Sequence, residues 1–215
     1  MSSVLFQSKN RTAPVKFVIF SAPNCSGKSY WFRKLSKRSE FRPFCIYEMD
    51  DLRYFSEDRV DEQLPAAWKQ FDKWSQAQKD TDVLEELRQN IRGSNREQQL
   101  IKLKFIELAA GEKRVITVNP EVLRHGSEGI RFHELIEEQF DVGIRHILIV
   151  PSLPRYQLNL FYRGRLKKTD RGFEERALLR SKIHLFECVL HVGLFTGSQG
   201  FARQVLNEFS LEEHH

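Results

Sequence analysis

Cysteine is scarce in this 215-residue chain, and long apolar runs are absent. The three cysteines, Cys25, Cys45 and Cys188, are widely separated, and no two of them form a Cys-x-x-Cys pair. The sequence therefore suggests neither a disulfide framework nor a zinc site, and a reducing compartment is the natural interpretation. No apolar run approaches the roughly 18 residues that a membrane-spanning helix requires, so we expect no contact with a membrane.

The start of the chain also lacks the apolar stretch of a signal peptide, because Met1 to Asn10 are mostly polar. We therefore expect a soluble, cytoplasmic protein. Internal repeats and low-complexity segments are absent from the sequence as well. Forty per cent of the residues are apolar, and a chain of this length can build one sheet-centred core. The expected organisation is a single domain over residues 1–215 with a helical insertion.

The charge of the chain is mildly basic. The formal net charge is +5 at pH 7, and the pI calculated from the sequence is about 9.1. Such an excess favours anionic partners, but it does not distinguish ATP from a nucleic acid. The positions of the charged residues are therefore more informative than their sum.

One short motif points to nucleotide binding. Residues Ala22–Ser29 read Ala-Pro-Asn-Cys-Ser-Gly-Lys-Ser, which fits the phosphate-binding loop (Walker A) pattern if alanine is allowed at its first glycine. The strand-like run Phe17–Phe20 precedes the motif directly. An amphipathic stretch from Lys28 to about Arg38 follows it, and we predict a helix there. This strand–loop–helix context favours a P-loop over an ordinary turn.

Each residue type in the loop has a chemical reason to be there. Gly27 allows the tight turn that points backbone N–H groups at phosphate oxygens, Lys28 reaches the β and γ oxygens, and Ser29 holds magnesium through its hydroxyl. The positive end of the following helix adds to the attraction. The predicted nucleotide-binding residues are Ala22, Asn24, Cys25, Ser26, Gly27, Lys28, Ser29 and Tyr30.

Short apolar strands alternate with amphipathic helices along the chain, a pattern typical of a parallel sheet covered on both faces. The predicted strands are Phe17–Phe20, Phe44–Met49, Val115–Val118, Ile147–Val150 and Val189–Phe195. The region of about 58–110 shows helical spacing, and an insertion at that point is suited to gripping a substrate. The sequence thus predicts an α/β fold class, a P-loop NTPase-type parallel sheet flanked by helices, and ligands above the carboxyl ends of its strands.

The second predicted strand leads directly into Asp50, Asp51 and Arg53. One of the two carboxylates is positioned to orient the attacking hydroxyl of an acceptor and take its proton. Arg53 is suited to a bidentate contact with an anionic group of the substrate. The alternative is a solvated turn in which an aspartate caps the next helix. The P-loop upstream favours the functional interpretation.

A basic stretch follows the fourth predicted strand. Residues Arg163–Arg171 contain five basic residues and one acidic residue in nine positions. A mobile lid over about 155–180 would bring Arg163, Arg165 and Lys167 to the transferring phosphoryl group. The alternative is a solvated basic face or a nucleic-acid patch. The residues for such a nucleic-acid contact are Arg163, Lys167, Lys168 and Arg171.

The P-loop, the acidic segment and the Val150-Pro151 strand end with its basic sequel resemble the kinase domain of phage polynucleotide kinases and of zeta-toxin-like kinases. In that family an Asp-Asp-x-x-Arg-like or Asp-Asp-x-Arg segment follows the second strand. The resemblance implies that Asp50 is the general base, that Arg53 contacts the acceptor phosphate and that Arg163 is the lid arginine. It spans about Phe17 to Arg180 and leaves the inserted helices unaccounted for.

The sequence therefore predicts an ATP- and Mg²⁺-dependent kinase acting on a hydroxyl or phosphate of a nucleoside, nucleotide or nucleic-acid end. The alternatives are a nucleoside monophosphate kinase and a nucleic-acid-associated P-loop NTPase without kinase activity. The third predicted strand, Val115–Val118, is followed by Asn119 and lacks the terminal acidic residue that motor ATPases use to hold magnesium. The chain also lacks the guanine-reading Asn-Lys-x-Asp of GTPases. Both absences argue against a motor or a switch.

Two weaker patterns have structural explanations. Trp68, Phe71 and Trp74 recur every three residues and could stack a nucleic-acid base, but such a stripe is more often helix packing. The seven histidines show no metal-ligand spacing, and we expect most of them to be exposed or satisfied within the fold.

Overall fold

The apolar runs of the sequence form one parallel sheet of five strands in the order β2-β3-β1-β4-β5. The computed structural model describes residues 13–22, 28–49, 52, 55–78, 82–118, 127–162, 183, 186, 188–192 and 197–210. The strands are β1 Val15–Ser21, β2 Cys45–Glu48, β3 Val115–Val118, β4 Gly143–Pro151 and β5 Cys188–Val192. The helices are α1 Lys28–Leu35, α2 Glu57–Ser75, α3 Asp82–Arg92, α4 Arg96–Ala110, α5 Ser127–Phe140, α6 Leu153–Tyr162 and α7 Ser198–Ser210.

Strand β1 lies at the centre of the sheet and pairs in parallel with both β3 and β4. Strands β2 and β5 extend the sheet on opposite sides. A strand covered on both faces is apolar at nearly every position, and β1 reads Val-Lys-Phe-Val-Ile-Phe-Ser. The predicted parallel sheet flanked by helices is therefore confirmed.

The two faces of the sheet carry separate apolar cores. On the first, here called the insertion face, Phe17 and Ile19 pack with buried side chains of α2, α3, α4 and α5. On the second, here called the P-loop face, Val18 and Phe20 pack with buried side chains of α1 and α7. This division follows from the two-residue repeat of a strand, which sends alternate side chains to opposite faces.

The predicted helical insertion after the second strand consists of α2, α3 and α4. Its aromatic stripe packs against the protein core. Phe71 is 3% exposed, and Trp74 stacks on Phe140 with ring centres 5.0 Å apart. Trp68 donates its indole N–H to Gln99 over 3.2 Å. Helix packing, and not an open platform for a base, is therefore the role that the structure gives to this stripe.

Several predicted boundaries differ from the structure. Strand β4 begins at Gly143, four residues before the predicted Ile147, because pairing with β1 continues through Arg145 and His146 although neither is apolar. Helix α6 occupies the first part of the predicted lid, up to Tyr162, and the rest of the lid lies outside the described residues. Across the described part of the chain, every helix is too short or too polar to cross a bilayer.

Candidate functional site

The carboxyl ends of the parallel strands meet at one edge of the sheet. The chain passes from that edge into α1 after β1, into α2 after β2 and into α6 after β4. Ligands of open α/β sheets bind in the crevice outside this edge. The predicted P-loop, acidic segment and lid all follow strand ends there, so the topology brings the predicted regions together.

The P-loop motif begins directly after β1, which ends at Ser21, and extends into α1, which begins at Lys28. This is the strand–loop–helix context that the motif requires. Ala22 is 4% exposed, Ser29 is half-buried in the first turn of α1, and Tyr30 is 53% exposed. The other predicted loop residues, Asn24, Cys25, Ser26 and Gly27, lie outside the described residues.

The acidic segment after β2 is described only in part. Asp50, Asp51 and Arg53 lie outside the described residues, whereas Met49 and Leu52 are buried. Their apolar side chains pack in the core on the insertion face. The described residues on either side of Asp50 and Asp51 are therefore part of that core.

A carboxylate that sequence reasoning did not single out ends β2. Glu48 lines a cleft of about 270 Å³ between β2 and α1. Ile46 packs on the P-loop face, so the two-residue repeat of the strand directs Glu48 toward the same face. Phe32 and Arg33 of α1 share this cleft, together with Ser36, which follows the helix. The sequence signal for Glu48 was its position near the end of the second predicted strand.

A larger cleft, of about 620 Å³, lies between the end of β2 and the helices α2 and α4. Arg59 of α2 and Lys104 of α4 line it together with the carboxylates of Glu62 and Glu107, and Tyr47 supplies an aromatic ring. Lys104 Nζ lies 5.5 Å from the centre of the Tyr47 ring and 2.7 Å from a carboxylate oxygen of Glu107. Leu52 lines the cleft too, so the cleft adjoins the acidic segment.

On the opposite side of β1, an arginine near the start of α6 covers an aromatic pair of α1. The guanidinium carbon of Arg155 lies 4.7 Å from the centre of the Trp31 ring. Burial lowers the pKa of the Arg155 guanidinium, and nearby Tyr30 partly counteracts this. Trp31 is 2% exposed and packs on Phe201 of α7, with ring centres 5.2 Å apart. Among the described residues, none accepts the indole N–H of Trp31.

A histidine pair is buried on the insertion face. The rings of His133, from α5, and His146, from β4, have centres 4.9 Å apart. Burial lowers the pKa of His146 to about 3. Burial, and then the charges of His146 and Lys102, lower the pKa of His133 well below its usual range. Both rings are therefore neutral at pH 7, and neither can act as an acid there.

The basic residues predicted for a lid or a nucleic-acid patch, Arg163, Arg165, Lys167, Lys168 and Arg171, lie outside the described residues. Sequence reasoning also missed Arg155, eight residues before Arg163. The signal for Arg155 was its place just after a Ser-Leu-Pro helix start at the end of β4. Only the tertiary contact with Trp31 distinguishes it from the other arginines nearby.

Comparisons with known proteins give a fold but no family. No protein-family model matches the chain, and no curated protein matches it in sequence. The solved structure of TT1252 from Thermus thermophilus is 19% identical, with a TM-score of 0.52, and covers 94% of this chain and 99% of its own. A candidate kinase from Chloroflexus aurantiacus is 12% identical, with a TM-score of 0.51 and the same two coverages. A gluconokinase from Sinorhizobium meliloti is 15% identical, covers 94% and 96%, and has a TM-score of 0.47.

The similarity to TT1252 and to the Chloroflexus aurantiacus protein extends over nearly the whole of both chains, so it concerns the entire sheet with its helices. Together with the strand order, this similarity shows the predicted α/β fold class: a parallel sheet flanked by helices. At these identities the likeness shows the fold alone.

Proposed function

We propose that this protein is a P-loop kinase that transfers the γ-phosphoryl group of ATP, with Mg²⁺, to an acceptor hydroxyl or phosphate. The observation that carries the proposal is the Ala-Pro-Asn-Cys-Ser-Gly-Lys-Ser motif between β1 and α1 of a parallel sheet. The description of one structural neighbour as a candidate kinase agrees with it. The acceptor belongs to the class of nucleosides, nucleotides or nucleic-acid ends, as the resemblance to polynucleotide kinases suggests.

The donor phosphates would bind at the start of α1. Lys28 would neutralise the β and γ phosphates, and the loop amides would bind their oxygens. Ser29 fits a role as a magnesium ligand, because it lies in the first helical turn and remains half-exposed. A bound Mg²⁺ would neutralise phosphate charge at this point.

The acceptor would bind at the other side of this edge, against β2 and the inserted helices. Asp50 would orient the attacking hydroxyl and take its proton, with Asp51 and Arg53 binding the substrate. The large cleft bounded by Leu52 adjoins that segment. Arg163 and Arg165 would complete the charge clamp, and α6 leads the chain from β4 toward them.

One observation favours a second candidate, a nucleoside monophosphate kinase. Arg59 and Lys104 line the large cleft from two different helices, as expected for a site that binds an acceptor phosphate. An acceptor that is already a phosphate needs no general base. Substitution of Asp50 therefore separates the two candidates.

The test is a transfer assay with γ-labelled ATP and three panels of acceptors: nucleosides, nucleoside monophosphates and 5′-hydroxyl oligonucleotides. For a hydroxyl kinase, Asp50→Asn should lower kcat about 100-fold, whereas for a monophosphate kinase its effect should be mild. Label released only as inorganic phosphate, with stimulation by polynucleotide, would instead identify a nucleic-acid-associated NTPase. Label in none of these products would refute the kinase proposal.

A further inference from the structure

The contact between Arg155 and Trp31 joins two helices that start at the ligand-binding edge. Arg155 lies in the first turn of α6, and Trp31 in the first turn of α1. The guanidinium covers the indole at 4.7 Å, within the range of a cation–π interaction. The Tyr30 ring meets that of Trp31 edge-on, with centres 5.4 Å apart and planes at 76°.

The two sides of this cluster differ in their access to solvent. The ring of Trp31 packs on Phe201, and Trp31 is 2% exposed, so this side of the cluster is buried. Arg155 remains half-buried, and Tyr30 is 53% exposed. The cluster therefore has a fixed apolar base and a partly accessible cationic and aromatic surface beside the P-loop helix.

The order of the strands shows which part of a donor nucleotide would reach this surface. Strand β2 and the two clefts next to it lie on one side of β1. Strand β4, which leads into α6, lies on the other side. With its phosphates at the loop between β1 and α1, a nucleoside triphosphate must direct its γ-phosphate toward the acceptor. Its nucleoside must then extend toward β4 and α6, where Arg155 and Tyr30 lie.

We propose that Arg155, which lies over the Trp31 ring and is flanked by Tyr30, is the platform that binds the base of the donor nucleotide. The inference rests on the proposed kinase function and names a subsite of the same site. A guanidinium is planar, and its stacking on indole holds that plane in one orientation. Stacking of this kind accepts any base, since every base has a π-face. The platform accordingly recognises a purine or a pyrimidine by its plane, without reading its hydrogen-bonding edge.

The test compares a ligand that has a base with one that lacks it. Magnesium complexes of ATP and of inorganic tripolyphosphate are titrated calorimetrically into the wild type and into Arg155→Lys, which keeps the charge but loses the planar group. We expect the substitution to weaken ATP binding about tenfold, which corresponds to about 1.4 kcal/mol, and to leave tripolyphosphate binding unchanged. The matched control is Arg203→Lys, at an exposed position of α7.

Other outcomes of the titrations would contradict the platform, the proposed function or both. Equal weakening of both ligands would make Arg155 a phosphate ligand and overturn the proposal, and so would unchanged binding of both. If the wild type binds neither ATP nor tripolyphosphate, the proposed function fails together with the platform. If the wild type binds both but Arg155→Lys does not discriminate between them, only the platform fails.

A second measurement uses the wild type and does not depend on how the variant folds. Irradiation with 8-azido-ATP attaches a label where the base lies. Labelling should appear in the tryptic peptide Ser29–Arg33, which contains Tyr30 and Trp31, or in the peptide Tyr156–Arg163, which follows Arg155. Labelling confined to peptides of α2 or α4 would place the base on the acceptor side and contradict the platform.

Discussion

The two faces of the sheet are built from different kinds of side chain. The insertion face buries polar groups among its apolar ones: Thr117, His133, Glu137 and His146 are all less than 5% exposed. The core of the P-loop face, within the described residues, consists of apolar side chains from the sheet, α1 and α7. The face that bears the inserted helices thus buries titratable side chains, whereas the other face is an apolar support for α1 and α7.

The two faces also contribute different parts of the candidate site. The P-loop face contributes α1, whose first turn contains Ser29 and Tyr30. The insertion face contributes the cleft that Arg59 and Lys104 line. We therefore expect damage to the first face to affect the donor and damage to the second to affect the acceptor. The predictions below test this division, from the largest expected effect to the smallest.

The largest effect should come from removing one core aromatic side chain on each face. Phe105 stacks on Phe17 with ring centres 4.4 Å apart, and Phe201 packs on Trp31. Phe105→Ala and Phe201→Ala should each lower the free energy of unfolding by about 3–5 kcal/mol. Urea denaturation measures that loss. Of the two variants, only Phe201→Ala should also weaken ATP binding at a temperature where both are folded. Equal ATP affinities of the two variants would contradict the assignment of donor binding to the P-loop face.

Substitution at the start of α1 should strongly impair catalysis and leave the fold intact. Lys28→Ala should lower kcat about 10²–10³-fold, because a charge aimed at the transferring phosphoryl group is lost. Its urea midpoint should stay within error of the wild type. Lys37→Ala, at an exposed position just after the same helix, is the control and should retain full activity. Full activity of Lys28→Ala would refute the P-loop assignment.

Acid should destabilise the protein through the insertion face. An unfolded histidine has a pKa near 6.5, whereas the folded value for His146 is about 3 and that for His133 is also lowered. Below pH 6.5 the unfolded chain therefore binds more protons, and stability falls as the pH is lowered toward 3. The decrease is at most about 1.4 kcal/mol per pH unit for each histidine.

The measurement is the urea midpoint between pH 7.5 and pH 5. His146→Leu should show a shallower decline over this range than the wild type, whatever its stability at pH 7.5. His191→Gln, at an exposed position of β5, should keep the wild-type slope. A His146→Leu slope equal to that of the wild type would mean that other groups cause the acid sensitivity.

The smallest effect concerns the acceptor cleft. Lys104 lies near Tyr47 and pairs with Glu107 at a partly exposed position, so its contribution to stability should be below about 1 kcal/mol. Lys104→Ala should raise KM for a phosphorylated acceptor about three- to tenfold and leave KM for ATP unchanged. Lys69→Ala, at an exposed position of α2, is the control. A selective rise of KM for ATP would contradict an acceptor role for this cleft.

Much of the fold could be predicted because its signals are local. The apolar run before the loop predicted β1, and the helical spacing after the second strand predicted the insertion. The start of β4 could not be predicted in this way, since Arg145 and His146 interrupt the apolar pattern. His146 is accommodated in the strand by a neighbouring histidine from α5, and no local pattern contains that contact.

The residues of the candidate site also differ in whether the sequence alone could reveal them. The P-loop motif and the acidic segment are runs of adjacent residues, so spacing alone brought Ser29 and Asp50 to attention. Arg155 and Trp31 are 124 positions apart in the chain, and Lys104 and Tyr47 are 57 apart. Contacts over such separations are decided by the order of the strands and the packing of helices on the sheet.

The sequence by itself determined a parallel α/β sheet and a P-loop motif after its first strand, because strand periodicity and motif spacing are properties of neighbouring residues. Only the tertiary structure decided which side chains share an environment. It buried His133 against His146 and depressed their pKa values, and it set Arg155 over Trp31 beside the P-loop helix. The physical reason is that desolvation and stacking depend on what surrounds a group in space, and distant parts of the chain supply those surroundings.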